Sequence, residues 1–262
     1  QASSSAASDV YKRQILNSYI ALKKIKMFKR KFFLKLGLEI VAIIIGISAS
    51  FWISEISVER DKSIQRERVL KSILIESNDI KNYCDERIKI WNQDIEIYNL
   101  LLNEKLNIEI LKNIAISKNR IEYNLIYYRD FDPPMNRYRS LVNTGDLKYV
   151  QSENIKEALT RLHNLNFSKV VSTVDYEKKI KELIIDLITQ ENPKLFLKGN
   201  NSKISFENYL KSLHKFIQEN EKLKSNLIVQ LKYFKTRISS LKFYVLTLEE
   251  LQYELSDILK VN

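Results

Sequence analysis

Glycine and proline are almost missing from this chain, with four and three in 262 residues, and between Gly46 and Pro133 neither occurs. Tight turns lean on both residues, so their scarcity argues against a strand-and-turn fold over that span, with periodicity left to decide because β-branched Ile is abundant. What fills it instead is Leu, Ile, Lys and Glu, the composition of long helices. Cysteine is reduced to Cys84 alone, which rules out an intramolecular disulfide and a cysteine-built metal site. The two histidines, His163 and His214, fall in no H-E-x-x-H or other close ligand spacing and read as surface or rim residues. No Gly-rich phosphate loop and no G-x-S-x-G elbow is present. Lacking these, the chain is expected to be no enzyme and to need no cofactor and no metal.

Acidic charge is the next deficit, and it is local. The net charge is +11, but residues 1–35 hold nine Lys/Arg against the single Asp9, which accounts for +8. The remainder carries 34 basic and 31 acidic residues. A nucleic-acid binder places its basic excess on the folded part, so no nucleic-acid partner is expected. A basic flank before an apolar run fits the positive-inside rule of membrane insertion instead.

That apolar run is "LGLEIVAIIIGISASFWISEI", Leu36 to Ile56. Its length corresponds to roughly 31 Å of helix, enough to cross a bilayer core. Glu39 sits in its first turn, an i, i+4 partner for Lys35, where a charge costs far less than at the bilayer centre. Phe51 and Trp52 mark the other interface. Gly46, Ser48, Ala49 and Ser50 form a small-residue patch without the GxxxG spacing of a dimer seam. The rival readings are a cleaved signal peptide, with "MFKRKFFLK" ahead of it and Ser48-x-Ser50 as the cleavage site, and a buried core helix. Apolar residues running past that site and the asymmetric basic flank favour an anchor. The Ser/Ala-rich opening, residues 1–14, differs from the Ile/Lys/Asn-rich remainder and reads as translated adapter sequence, with Met27 as a natural start. Residues 15–35 then form a basic cytoplasmic flank, 36–56 the transmembrane helix, and 57–262 an α-helical domain on the far side.

Beyond Ser57 the pattern becomes amphipathic. Ile73, Ile80, Cys84, Ile88, Trp91, Ile95, Tyr98 and Leu102 recur every three or four residues, with Ser77 in the gap, predicting that the anchor helix continues as a stalk to about Leu102. "NIEILKNIAIS" predicts a short helix, and Pro133-Pro134 stops any helix there. A helix over Met135–Asn143 closed by a left-handed Gly145, and Ser152 capping the next, follow from cap chemistry. That next helix carries Ile155, Leu159, Leu162, Val170, Val174, Leu183 and Leu187 as its stripe, up to a break at Pro193 and "KGNNS". From Ser205 to Leu259 helical spacing persists, with "QENEKLKS" dividing it in two. Helices this long need partners for their apolar stripes. The expected fold is all-α: an N-terminal transmembrane helix running into a stalk helix, packed with the 152–190 and C-terminal helices in an antiparallel bundle or coiled coil.

The segments "GLEIVAIIIGISASFWISEISVERDKS" and "YRSLVNTGDLKYVQSENIKEALTRLHN" together resemble an uncharacterised bacterial family of single-pass membrane proteins, domain of unknown function 6090. Here Leu38-Glu39 stands for that pattern's Gly-Glu and Thr144-Gly145 for its Ser-Gly. The resemblance implies an N-terminal inner-membrane anchor with a helical extracytoplasmic, periplasmic domain, and brings no activity or functional residues with it.

One cluster stands out as a candidate partner or ligand surface: Arg120, Tyr127, Tyr128, Arg129, Asp130, Arg137, Tyr138 and Arg139. Tyr and Arg dominate binding hot spots because they combine large area with polar tips. At the membrane-distal end of a stalk such a cluster would bind a partner; the plainer alternative is that its aromatics close the bundle, with Arg–Asp pairs at the rim. The expected function is therefore a non-enzymatic interaction or scaffold protein, N-terminus cytoplasmic, whose partners are the lipid bilayer and an unidentified protein or a second copy of itself. The alternatives are a sensor-like ligand-binding domain acting through a separate signalling partner and a bundle facing the cytoplasm.

Overall fold

The computed structural model describes residues 3–261, with side chains in its helices described over 35–260. The adapter-like stretch 1–14, and the basic flank 15–35 apart from Lys35, lie outside the described side chains. The fold is all-α: α1 (Ser3–Leu102), α2 (Ile108–Ala115), α3 (Lys118–Ile126), α4 (Asn136–Thr144), α5 (Glu153–Thr160), α6 (Phe167–Glu191), α7 (Lys194–Asn200), α8 (Phe206–Glu219) and α9 (Glu221–Val261). A wider π-helical turn, Arg161–Asn166, joins α5 to α6. The chain divides into two units, Gln1–Ile64 and Gln65–Asn262, each described by itself.

In the first unit every described side chain is exposed. Over Leu36 to Ile56 α1 is long and apolar enough to cross a membrane, and none of it is buried within the protein. Phe51, Trp52 and Ile53 are 74%, 69% and 68% exposed. The polar atoms inside this run are answered locally. Ser50 Oγ donates to the Gly46 carbonyl at 2.9 Å, four residues back, and Lys35 Nζ lies 4.0 Å from Glu39. Serine bonding back along its own helix is how a hydroxyl is satisfied without water.

The second unit is a bundle around α1, α6 and α9. Contacts between α1 and α9 run in opposite directions: Asn78 meets Gln252, Lys81 meets Glu249, Arg237 lies over Trp91, and Phe234 meets Tyr98. α6 and the turn before it are likewise antiparallel to α9, through Asn166 of the turn with Thr247, Thr173 with Arg237, and Tyr176 stacked on Tyr233. The core falls into two apolar clusters. One gathers Leu70, Ile80, Cys84, Trp91, Phe131, Val170, Leu241 and Leu248; the other gathers Tyr98, Leu111, Ile121, Ile184, Ile188, Leu213, Leu227 and Phe234.

The local signals act as expected. Gly145 adopts φ 74° and its N–H reaches back to the Leu141 and Val142 carbonyls, closing α4. Ser152 Oγ accepts from Ile155 N at 3.4 Å. Asn220 splits α8 from α9: its N–H ends one helix on Phe216 O, and its side chain caps the next through Leu223 N at 2.8 Å. Two stripe assignments need correction. On α6, Ile184 and Ile188 are buried while Leu183 is exposed and Leu187 only partly covered, because the face turned to the core runs Val170, Thr173, Val174, Glu177, Lys181, Ile184, Ile188. His163 is half-buried, at the rim of the bundle as expected. Its ring stacks on Tyr138 at 3.6 Å and Nδ1 lies 3.1 Å from Met135 Sδ.

Candidate functional site

Between the two apolar clusters lies a layer of buried charge. Each member sits on a helix at a position the apolar stripe would otherwise occupy: Asp94 on α1 between Trp91 and Tyr98, Glu177 and Lys181 on α6, and Arg237 on α9 next to Phe234. Glu177 is the hub. Lys181 Nζ lies 3.2 Å from its Oε1 and Arg237 Nη1 2.6 Å from its Oε2. Arg237, with no exposed surface, also donates from Nε to Thr173 Oγ1 (2.9 Å) and from Nη2 to the Thr173 carbonyl (2.8 Å), and lies over the Trp91 ring at 4.8 Å. Lys181 donates to the Asn124 carbonyl, which also accepts from Tyr98 Oη at 2.8 Å. Burial pulls the Lys181 ammonium and the Arg237 guanidinium below their ordinary pKa values, and the Glu177 carboxylate opposes this in both.

Asp94 carries the outer half of the layer. Arg120 Nη2 pairs with its Oδ1, and Arg129 Nε lies 3.5 Å from its Oδ2. Arg120 also donates to Asn124 Oδ1 at 2.6 Å, and Arg129 stacks over Tyr123 at 4.4 Å. Two carboxylates thus face four cationic groups, and the network ties α1, α3, α6 and α9 together. Glu177 and Lys181 are each 3% exposed in their side chains, so the inner part is closed to any solute.

This places the residues of the candidate partner surface in different roles. Arg120 and Arg129 turn inward to Asp94. Tyr127 is exposed and stacks on Tyr123 at 5.2 Å. Tyr128 lies under Lys178 (4.5 Å), which also pairs with Asp130 at 3.5 Å. Arg137, Tyr138 and Arg139 form a separate group. The backbone N–H groups of Arg137 and Tyr138 donate to the two Glu76 oxygens, at 2.5 and 2.9 Å. The α4 N-cap residue, Met135, offers no side-chain cap, so Glu76 of α1 supplies the missing acceptor from another helix. Burial raises the Glu76 pKa, and those backbone donors act against the rise.

The cluster therefore does not lie at the end of the bundle near Leu102, as the sequence suggested. It lies along the side of α1, from the level of Glu76 to that of Asp94. The Leu102 end is closed by α8: Gln218 Nε2 donates to the Leu101, Leu102 and Asn103 carbonyls, and His214 Nε2 lies 2.7 Å from Asn103 O. These satisfy the carbonyls that a helix C-terminus leaves unpaired. Phe131, in the middle of the cluster's sequence, is core, packed against Tyr83, Trp91, Phe167 and Tyr244 at 5.3–6.4 Å.

Among the described residues, no three His, Cys, Asp or Glu side chains converge as a metal site requires. Compared with family models, curated proteins and solved structures, the chain matches none. The functional reading rests on its own residues.

Proposed function

We propose that this chain is a single-pass protein of a bacterial inner membrane whose helical bundle serves as a non-enzymatic interaction or scaffold module. The observation that carries the reading is the exposure of every side chain from Leu36 to Ile56. A helical run of that length, apolar and uncovered by its own chain, suits surroundings of hydrocarbon. The seven basic residues against no acidic one over 15–35 support a cytoplasmic N-terminus, which directs the bundle to the periplasmic side. Of the Tyr/Arg cluster, Tyr127, Tyr128, Asp130, Arg137 and Arg139 keep outward exposure and remain available to a protein partner.

Cys84 cannot report topology, because it is fully buried and burial pushes its thiol pKa far upward. A Lys222→Cys variant places a thiol on the exposed first turn of α9. In cells with a permeabilised outer membrane, a membrane-impermeant thiol reagent is expected to label this variant before lysis and the parent chain only after denaturation. Labelling of Lys222→Cys only after rupture of the inner membrane would put the bundle in the cytoplasm.

A further inference from the structure

Between α4 and the part of α1 inside the second unit lies a hollow of about 400 Å³, within the range of small-ligand sites. Val69 and Leu141, both buried, supply its apolar part. Its polar wall comes from both helices. α1 contributes Gln65, Arg68 and Ser72, spaced by three and four and so on one face; α4 contributes Asn136, Arg137 and Ser140, within its first five residues. All six side chains carry hydrogen-bond donors, and among the described residues none of the six is hydrogen-bonded or ion-paired through its side chain. The carboxylates beside them are already engaged. Glu67 pairs with Lys71, and Glu76, which feels the Arg137 charge, holds the backbone N–H groups that open α4. Asp146, the single acid in the lining, accepts from Thr144 Oγ1 at 2.9 Å. Elsewhere in the bundle Arg120, Arg129, Arg161 and Arg237 each hold a carboxylate, so two arginines without one in a single hollow stand apart.

We infer that this hollow binds a phosphate group, held between Arg68 of α1 and Arg137 of α4. Two guanidinium groups against one carboxylate leave the lining positive, and the Ser72 and Ser140 hydroxyls with the Gln65 and Asn136 amides add neutral donors. A guanidinium fork matches two oxygens of a phosphate at once. A carboxylate presents two oxygens in one plane, which a single fork satisfies. A phosphate presents more, in several directions, and answers donors arriving from two helices. The remaining volume, beside Val69 and Leu141, takes the group esterified to the phosphate. Two sources share this chemistry: a soluble phosphate ester, and a phospholipid headgroup, since Gln65 follows Ile56 by only nine residues. The inference does not depend on the scaffold reading; it gives Arg137 a ligand where that reading leaves it open to a protein.

The test is calorimetric titration of the full-length protein in a neutral detergent with three probes: glycerol phosphate, dihexanoyl phosphatidylglycerol below its micellar concentration, and acetate. The expected result is saturable one-to-one binding of a phosphate compound and none of acetate over the same range. Tighter binding of glycerol phosphate assigns the site to a soluble ester; tighter binding of the short-chain lipid assigns it to a headgroup. Arg68→Gln and Arg137→Gln change exposed side chains, so the melting temperature without ligand is expected to hold, while each weakens binding about tenfold. Lys222→Gln removes the same charge from the exposed start of α9 and is expected to leave the affinity unchanged. No saturable binding of either phosphate compound, equal binding of acetate, or equal losses in Lys222→Gln and the arginine variants would overturn the site. Each of these failures would leave the anchor standing, because membrane fractionation reads that separately.

Discussion

Between Leu36 and Ile56 apolar side chains face outward with nothing of the chain over them, whereas around Glu177 charged side chains face inward with almost no water. Both regions invert the ordinary distribution of polarity, and each is resolved differently. On the proposed reading the first lies in a different solvent: in lipid, an apolar surface is the satisfied one. The second needs partners: Lys181 and Arg237 are held by one carboxylate, two carbonyls and a hydroxyl. The lesson is that burial alone does not distinguish a stable position from an unstable one; what surrounds the group does.

The layer breaks most severely through its hub. Glu177→Ala leaves two buried cations without their carboxylate and is expected to cost about 3–5 kcal/mol, read as a lowered urea midpoint. The apolar helix breaks next: Ile45→Lys at its centre is expected to oppose insertion by about 2.5–3.5 kcal/mol, measured as the fraction of chain recovered with membranes. Replacing the hub outright, with Glu177→Leu, Lys181→Met and Arg237→Met together, is expected to leave stability unchanged or raise it by up to about 4 kcal/mol, because no unpaired charge remains. A large loss in that triple variant would show the pairs themselves to be stabilising.

Smaller effects sharpen the picture. Glu76→Ala uncaps α4 and is expected to cost about 1–2 kcal/mol in thermal unfolding. His163, desolvated and close to Arg139, has its pKa lowered from 6.5 to about 4. A lowered pKa means the unfolded chain takes up the proton first, so this residue's contribution is complete above pH 6.5 and is lost as the pH falls towards 4. His163→Phe keeps a ring against Tyr138 and is expected to flatten that acid limb of a melting-temperature profile.

Much of this was legible in the sequence. Scarce glycine and proline, stripes at helical spacing, Gly145, Ser152 and the split at Asn220 all specify local structure through chemistry their own neighbours determine. The polar layer was not, because reading a pattern by its apolar residues assigns charge to the surface. The signal was nevertheless present. Asp94, Glu177, Lys181 and Arg237 each stand where the apolar stripe should continue, between Trp91 and Tyr98, between Val174 and Ile184, and between Phe234 and Leu241. A charge that keeps the helical spacing of its apolar neighbours on both sides is a candidate for burial. The Glu76 cap was illegible for another reason: its beneficiaries, Arg137 and Tyr138, lie some sixty residues away, and only the fold brings them together.

The central claim is that lipid covers the helix from Leu36 to Ile56. Alkaline extraction of membranes containing the full chain, followed by the intact mass of the protein in pellet and supernatant, tests it most directly. The account predicts a chain that stays in the pellet with its apolar helix uncleaved. A chain released into the supernatant, or a mass beginning after Ser50, would contradict it.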